Sequence, residues 1–341
     1  MKPSRRGIVS SLLLSPLVPG GFARAADLPI KVDAAAGEFC LVDLPDTQHY
    51  ASTYPAILRS QLRWIRDNAA ALNIRMVVHV GDITDFDSRP EWALVDADFE
   101  LLDDAAVPYL VVPGNHDFNI PLRDKGIKTN AEYNAVFSPY RFSGRRWYGG
   151  HYGGSANNSF VLFEGGGQKY LVLGLEFGPS DAVLDWAARI IKKHKDDHRV
   201  ILVTHAYLNN DNTRIGPSAP GDGPHKMNAD WNDGQQIWDK LIRRQSSIDL
   251  VLCGHILGRG TGFLLSNTDS GAPVIQMLAN YQTQDFGGGG WLRVLRFRPR
   301  DKALDVFSYS PWYGRLRTEA DQQFAVPVPW MFGPGRAASG E

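Results

Sequence analysis

Short apolar runs alternate along this chain with longer segments in which apolar residues recur every three or four positions. A short continuous apolar run is typical of a buried β-strand, whereas the recurring spacing is typical of an amphipathic helix. The predicted strands are Phe39–Val42, Met76–Val80, Tyr109–Val112, Val200–Val203 and Leu250–Cys253. The predicted helices are Tyr54–Leu72, Glu91–Ala105, Asp181–His194 (with Ser180 as N-cap) and Gly234–Arg244. This order predicts parallel strands connected by helices, which is an α/β fold.

The last third of the chain contains strands without helices between them. These strands are Gly262–Leu265, Val274–Leu278, Leu292–Phe297 and Ala303–Tyr309, and an earlier hairpin is predicted from Ser159–Glu164 and Lys169–Gly174. We expect antiparallel strands added to a single core in a domain of residues 30–315. Residues 316–341 are predicted to form a Pro- and Gly-rich surface tail, and Gly287–Gly290 a flexible hairpin loop.

The first 25 residues have the features of an export signal. Lys2, Arg5 and Arg6 give a positive start, and the apolar stretch that follows is too short to span a bilayer. Ala23-Arg24-Ala25 matches a small-x-small cleavage site. Ser4-Arg5-Arg6 also fits a twin-arginine signal, so the general and the twin-arginine routes both stay open. The sequence predicts an exported bacterial protein, periplasmic or extracellular.

The composition and net charge limit the kinds of binding partner that we expect. The 341 residues are 43% hydrophobic and 21% charged, with a net charge of −1. We therefore expect neither nucleic-acid binding nor attraction to an anionic membrane surface, and no membrane span. The two cysteines, Cys40 and Cys253, lie in predicted strands, where two packed thiols are favoured over a disulfide.

Each of the five predicted strands is followed by side chains that can hold a metal ion. These candidate ligands are Asp46 and Gln48, Asp82, Asn115, His205 and His255. Ligands of α/β sheets gather outside the carboxyl ends of the strands, so we expect the six side chains to lie together. Oxygen and imidazole ligands without thiolate suit Mn, Zn, Fe or Ni. The set exceeds what one ion with open positions requires, which favours two ions sharing a carboxylate.

The motifs that carry these residues resemble those of the calcineurin-like metallophosphoesterases. They are, in order, Asp-x-Gln at 46–48, Gly-Asp-x-x-Asp at 81–85, Gly-Asn-His-Asp at 114–117, Thr-His at 204–205 and Gly-His at 254–255. The resemblance implies an α/β fold that is a four-layer αββα sandwich of two mixed β-sheets. It also implies a hydrolase acting on phosphate mono- or diesters of small molecules or phosphoproteins.

The resemblance assigns a role to each position. Asp82 would bridge two divalent or trivalent metal ions, and a hydroxide bridging the same ions would be the nucleophile. Asn115, His205 and His255 would complete the second metal's ligands, and Asp46 with Gln48 would bind the first metal. His116 would protonate the leaving group as general acid, and Asp85 would orient it.

This chain departs from the family pattern at two positions. Gln48 stands where the family usually has histidine, and Leu257 replaces the last histidine of Gly-His-x-His. We therefore expect a tight second metal site and a weak first one. His225 or Asn228 could supply a replacement ligand.

Several residues near the motifs have more than one interpretation. Asp43 competes with Asp46 for the first motif, and Asp46 is preferred because Gln48 follows it two residues later. Asp85 could merely cap a turn. Asp117 is expected to be structural, and His79 to be a core histidine with its hydrogen bonds satisfied. His49 and Tyr50 follow the first motif, and either could touch substrate.

Two polar insertions, Asn119–Gly154 and Tyr207–Asp233, directly follow ligand-bearing motifs and are expected to lie over the site. In the first, Arg141, Arg145 and Arg146 could clamp a phosphate, but a solvated loop is the preferred interpretation. The alternative function is a metal-binding or interaction protein that retains the fold without the chemistry. A serine esterase is disfavoured because Gly-x-Ser-x-Gly is absent.

Overall fold

The computed structural model describes residues 28–217 and 223–332, and the predicted export signal lies outside them. Two mixed sheets, each of seven strands, are formed by the described residues. The first sheet contains β1 (Phe39–Leu44), β2 (Ile74–His79), β3 (Tyr109–Val111), β11 (Leu292–Arg298), β12 (Ala303–Ser310), β13 (Arg315–Leu316) and β14 (Gln323–Pro327). The second contains β4 (Tyr148–His151), β5 (Ser159–Gly165), β6 (Gln168–Leu175), β7 (His198–Thr204), β8 (Ile248–Cys253), β9 (Thr261–Asn267) and β10 (Pro273–Ala279).

The strand order places the ligand-bearing strands side by side. The first sheet has the order β13-β12-β11-β1-β2-β3, with β14 also paired to β12, and the second has the order β4-β5-β6-β7-β8-β10-β9. β1, β2 and β3 are parallel neighbours, as are β7 and β8. Their carboxyl ends therefore share one edge of the molecule.

Helices cover the outer face of each sheet. The α-helices are α1 (Gln48–Ser52), α2 (Pro55–Asn68), α3 (Arg89–Asp104), α4 (Ile120–Arg123), α5 (Ala131–Val136), α6 (Asp181–His194), α7 (Pro224–Met227), α8 (Gly234–Lys240) and α9 (Asp285–Gly288). Short 3-10 turns occupy Ala34–Ala36, Asn115–Asp117, Ile242–Arg244 and Pro329–Phe332. No helix in the described ranges has the length and apolar content needed to cross a bilayer.

Successive side chains of each central strand point to opposite faces of the sheet, so they pack in different cores. Phe39 and Leu41 of β1 pack into the core between the sheets, whereas Cys40 and Val42 pack in the core that α2 and α3 cover. A third core lies between the second sheet and helices α6 and α8. The fold is thus the predicted four-layer αββα sandwich. Cys40 and Cys253 are buried free thiols in separate cores, as predicted.

Three features differ from the predictions. Gln323–Pro327 is a strand paired with β12, and Val328 and Met331 are buried in the core between the sheets, so the folded domain extends beyond the predicted tail boundary at 315. Gly287–Gly290 all have positive φ and lie in the connection from β10 of one sheet to β11 of the other, not in a hairpin loop. The last-third strands are not all antiparallel, because β10 runs parallel to β8.

Candidate metal centre

The loops after β1, β2, β3, β7 and β8 bring their polar side chains to one place. His205 Nε2 lies 3.2 Å from Asp82 Oδ2 and 3.0 Å from Asn115 Oδ1. His255 Nδ1 lies 3.2 Å from the same His205 nitrogen. The donor atoms of Asp82, His205 and His255 all lie within 4.8 Å of one another, a spacing that suits a shared metal ion.

Asp46 lies beside this group, and Gln48 follows it by two residues at the start of α1. The backbone N–H of His255 donates to Asp46 Oδ1 at 3.0 Å, which joins the first and last motifs. Asp46 Oδ2 and Gln48 Oε1 are both buried, and neither has a hydrogen-bond partner within the described residues. A buried acceptor without a partner is costly, and a bound cation would satisfy both oxygens. The residues present therefore fit a metal centre.

Charge is balanced within the group when no metal is bound. Burial would raise the pKa of Asp82, but the charge of His205 holds it well below its usual range. Burial would lower the pKa of His205, yet the charge and hydrogen bond of Asp82 raise it to about 9. Burial raises the pKa of Asp46 well above its usual range. A metal ion binding here would replace the proton of His205, so binding should release protons.

Three of the candidate ligands have a left-handed backbone. The φ angles of Asp46, Asp82 and His255 are 39°, 52° and 74°. Non-glycine residues rarely adopt this region, and such strain concentrates at functional sites. Each residue lies two or three residues beyond the end of its strand, in the loop at the sheet edge.

Glycines beside the ligands allow the loops to approach closely. A β-carbon on Gly114 would lie 2.3 Å from Asp82 Oδ1, and one on Gly254 would lie 2.2 Å from Asp46 Oδ2. Both separations are shorter than van der Waals contact. The glycine in two of the Gly-x motifs is therefore required by the position of a carboxylate from another strand.

Asp117 joins two of the ligand-bearing loops. Its carboxylate accepts hydrogen bonds from the backbone of Ile83, Thr84 and Gly114 at 2.8–3.1 Å and from the Thr84 hydroxyl at 3.1 Å. The predicted structural role of Asp117 is confirmed. His79 is also a satisfied core histidine, since its ring contacts the Thr47 hydroxyl at 2.9 Å and accepts from Gly81 N–H at 3.1 Å.

His116 lies at the rim, with Asp85 on its far side. The backbone N–H of His116 donates to Asp82 Oδ1 at 2.9 Å, and its Nδ1 lies 2.8 Å from the Asp85 carbonyl and 3.3 Å from Asp85 Oδ1. His49 Nδ1 contacts the other oxygen of the Asp85 carboxylate at 3.4 Å. Burial alone would lower the pKa of His116, but the hydrogen bond to Asp85 and the charge of Asp82 raise it to about 9. A histidine held protonated at the rim of a cavity can donate a proton to a bound molecule.

Both insertions line the cavity over this group, as predicted. The cavity measures about 620 Å³, and Asp82, Asn115, His116 and His255 form its floor. Its walls include Arg123, Asn209, Asn210, Met227, Leu257 and Gln282. Arg123, Asn209 and Gln282 were not identified from the sequence, because nothing in their local pattern separates them from ordinary loop residues.

Other candidates from the sequence lie apart from the cavity. Asn228 donates to the Gly126 carbonyl, and His225 lies against Gln236 at the start of α8, so neither replaces the absent first-metal histidine. Arg141 is neither a phosphate clamp nor solvated, because it forms ion pairs with Asp96 and Asp103 and is mostly buried.

Two further arginines and one further histidine group are also remote from the site. Arg145 contacts Asp103, and Arg146 lines a different cavity with Trp147. A second group of possible ligands, His194, Asp197 and His198, lies at the start of β7, the opposite end of that strand from His205.

The fold is a four-layer αββα sandwich, and side chains of kinds that hold metal ions lie together at the carboxyl edge of its sheets. The model of the calcineurin-like phosphoesterase family matches residues 45–259, and the chain belongs to that family. The family implies a dinuclear metal centre.

Known proteins resemble the chain in sequence or in fold. The chain is 31% identical over 311 residues to the uncharacterized protein YvnB of Bacillus subtilis, covering 88% of this chain and 22% of YvnB. The chain therefore spans about a fifth of that relative's length. A purple acid phosphatase from yellow lupin superposes with a TM-score of 0.51 at 12% identity, covering 86% of this chain and 55% of the other. GAP50 of Plasmodium, at 12% identity, gives 0.43, covering 85% of this chain and 88% of the other.

Proposed function

We propose that the protein hydrolyses phosphate mono- or diesters at a two-metal centre. Its ligands would be Asp46, Gln48, Asp82, Asn115, His205 and His255. The observation that carries this proposal is the convergence of five loops on one group of nitrogen and oxygen donors, with two buried oxygens left without partners. When bound, the metal ions would supply an activated water and neutralise charge on the phosphate oxygens.

The side chains of the site would divide the remaining work. Asp82 contacts His205 through Oδ2 and accepts from the His116 N–H through Oδ1, so it would hold the metal ions from the middle of the group. His116 would donate its proton to the leaving oxygen, and Asp85 would hold the ring in place through Nδ1, leaving Nε2 for the substrate. Arg123 lines the same cavity and contacts the Asn115 carbonyl, so it would fix the loop that carries Asn115 and His116.

His116→Ala tests the proposed proton donor. The variant should keep the metal content of the parent protein and lose about 10²–10⁴-fold in kcat on alkyl phosphates, whose leaving groups need a proton. The loss should be smaller for an aryl phosphate with a good leaving group. His151→Ala, a histidine bound to Tyr148 outside the site, is the matched control. Equal losses for both substrate types would count against His116 as the acid.

The alternative is a metal-binding protein that retains the fold without turnover, and the loss of a first-metal histidine at Leu257 favours it. The two proposals separate in a panel of monoesters and diesters assayed with Mn, Zn, Fe and Ni. Bound metal without turnover of any ester would overturn the enzymatic proposal.

We also propose that the protein is exported. The support is the Lys2-to-Ala25 pattern, which lies outside the described residues. Cell fractionation of the parent protein and of the Arg5→Lys, Arg6→Lys double variant tests the route. Retention of only the variant in the cytoplasm would support twin-arginine export, and a cytoplasmic parent would refute export.

A further inference from the structure

Phe286 is an exposed aromatic residue with an unfavourable backbone. Its φ and ψ angles are 56° and 35°, in the left-handed region, and the side chain is 52% exposed. It is the only Phe, Tyr or Trp among the described residues with positive φ. A bulky residue here costs about 1–2 kcal/mol, and half-exposed packing returns little of that cost. The conformation therefore needs another explanation.

The segment around Phe286 is held firmly in this shape. Residues 287–290 are four glycines, all with positive φ. The Tyr50 hydroxyl accepts from the Gly290 N–H at 3.0 Å, and the Ser310 hydroxyl donates to the Gly289 carbonyl at 2.6 Å. The strained turn is therefore fixed by the surrounding structure and presents the Phe286 ring at a defined position.

That position is on the His116 side of the metal centre. A β-carbon on Gly287 would lie 2.5 Å from His49 Cβ, so the segment packs directly on α1. His49 and His116 contact the two oxygens of one carboxylate, that of Asp85. Earlier in the same segment, Gln282 lines the cavity of the metal centre. The turn thus lies just beyond the edge of the site where the proton donor is located.

The ring of Phe286 is part of an exposed aromatic pair. Its centroid lies 5.9 Å from that of Tyr54, and the planes meet at 88°. In this T-shaped arrangement the edge of one ring lies against the face of the other, and the contact restricts the motion of the Phe286 ring. One broad part of the Phe286 surface is left open to solvent, which is the requirement for stacking by an incoming ring.

We propose that Phe286, steadied by Tyr54, is a stacking platform for an aromatic ring in the leaving group of the substrate. This inference rests on the proposed function, because it uses the position of His116 as proton donor. A general acid must lie beside the leaving oxygen, so the leaving group extends past His116 and Asp85 toward His49 and Phe286. The substrate class is a phosphate ester of an aryl alcohol or a nucleoside.

Matched substrates separate stacking from mere apolar contact. Benzyl phosphate and cyclohexylmethyl phosphate have leaving groups of similar size, but only the first is planar. The test measures KM for benzyl phosphate divided by KM for cyclohexylmethyl phosphate in the metal-loaded full chain. Phe286→Ala should raise this ratio about tenfold, because the variant loses one stacking contact that only the benzyl ring can make. Phe286→Trp should restore the ratio and Phe286→Leu should not. Tyr140→Ala removes an exposed aromatic elsewhere and should leave the ratio unchanged.

Two further measurements keep the proposal independent of turnover. Calorimetry should show Phe286→Ala weakening phenylphosphonate about tenfold more than methylphosphonate. Phe286→Gly should raise Tm by about 2 °C, because glycine accepts the left-handed backbone. Hydrolysis of both esters with an unchanged ratio in Phe286→Ala, together with an unchanged KM for adenosine 5′-monophosphate, would overturn the platform and leave the proposed function intact. Failure of the metal-loaded protein to hydrolyse any ester of the monoester and diester panel would overturn the proposed function instead.

Nucleoside and aryl esters differ in the distance between the aromatic ring and the phosphate. If adenosine 5′-monophosphate shows the Phe286 effect and benzyl phosphate does not, the ring is bound one sugar away from the phosphate. The reverse result identifies an aryl ester. No Phe286 effect on either substrate contradicts the platform.

Discussion

At the scale of single residues, the site depends on positions that exclude a side chain. Gly254 is the clearest, because a β-carbon there would lie 2.2 Å from Asp46 Oδ2 and 2.8 Å from Val80 Cγ2. Val80 is in the core and cannot move, so the Asp46 carboxylate would have to shift. The same glycine precedes His255, which ties the placement of two ligands to one residue.

We predict that Gly254→Ala loses first-metal binding. The displaced Asp46 carboxylate can no longer share an ion with Asp82, and overpacking costs about 1–3 kcal/mol of stability. Elemental analysis and thermal unfolding measure the two effects. Gly154→Ala is the control, because a β-carbon there meets no atom within 4 Å. Full metal content in Gly254→Ala would contradict the predicted role of Asp46.

Asp85 is predicted to make stability depend on pH. Hydrogen bonds from His116 and His49 hold the pKa of Asp85 well below its ordinary value of 3.8, so its contribution is present above that pH. The pKa of His116 rises from 6.5 to about 9 on folding, so its contribution is complete below 6.5 and is lost as pH rises through 9. The pair therefore stabilises the metal-free fold most between pH 4 and 6.5.

The variant Asp85→Asn tests this prediction. Its Tm, compared with that of the parent in chelator-treated protein, should be lowered most near pH 6, and the difference should shrink toward pH 9. His205 titrates over the same range but is common to both proteins, so the comparison isolates the His116 pair. A difference that stays constant from pH 6 to 9 would mean that Asp85 acts by packing alone.

At the scale of elements, Asp117 makes the loops after β2 and β3 one unit. Each loop carries a ligand, Asp82 on the first and Asn115 on the second, and both loops donate backbone N–H groups to the Asp117 carboxylate. This carboxylate therefore joins the two loops, together with the hydrogen bond from the His116 N–H to Asp82 Oδ1.

We predict that Asp117→Asn separates the two loops. The amide would direct N–H groups at backbone donors, leaving buried groups unsatisfied at a cost on the order of 3 kcal/mol. Urea unfolding should show that loss, and second-metal affinity should fall with it. Asp67→Asn, at an exposed carboxylate on α2, is the control. Unchanged stability would show that water can replace Asp117 as the acceptor.

At the scale of the whole molecule, the sequence predicted those helices and strands whose buried face can be identified from the pattern of apolar residues in the segment itself. Asp181–His194 begins and ends where predicted, because its apolar face repeats cleanly and an acidic residue opens it. The strands with continuous apolar runs were found within two residues for the same reason.

The elements that the sequence did not predict are set by contacts with distant parts of the chain. β14 alternates exposed and half-buried residues beside prolines, and only its pairing with β12 makes it a strand. The Arg141 ion pairs join residues about forty positions apart. The six candidate ligands were predicted together because strand ends share an edge, whereas Arg123 and Gln282 enter the site through the fold alone.

The departures from the family motifs concern the balance between the two metals, a property of the whole site. Leu257 lines the cavity, is half-exposed, and stands in the sequence where the family usually has histidine. We predict that Leu257→His increases the affinity of the weaker metal site at least about tenfold. A tenfold change corresponds to about 1.4 kcal/mol of binding free energy, and one added nitrogen ligand contributes more than that. Calorimetric titration of metal-free protein should give two unequal sites in the parent and two closer in affinity in the variant. Leu257→Ala should keep the inequality, which separates an added ligand from added space. Two equally tight sites in the parent would refute the asymmetry, and with it the reason that Leu257 matters.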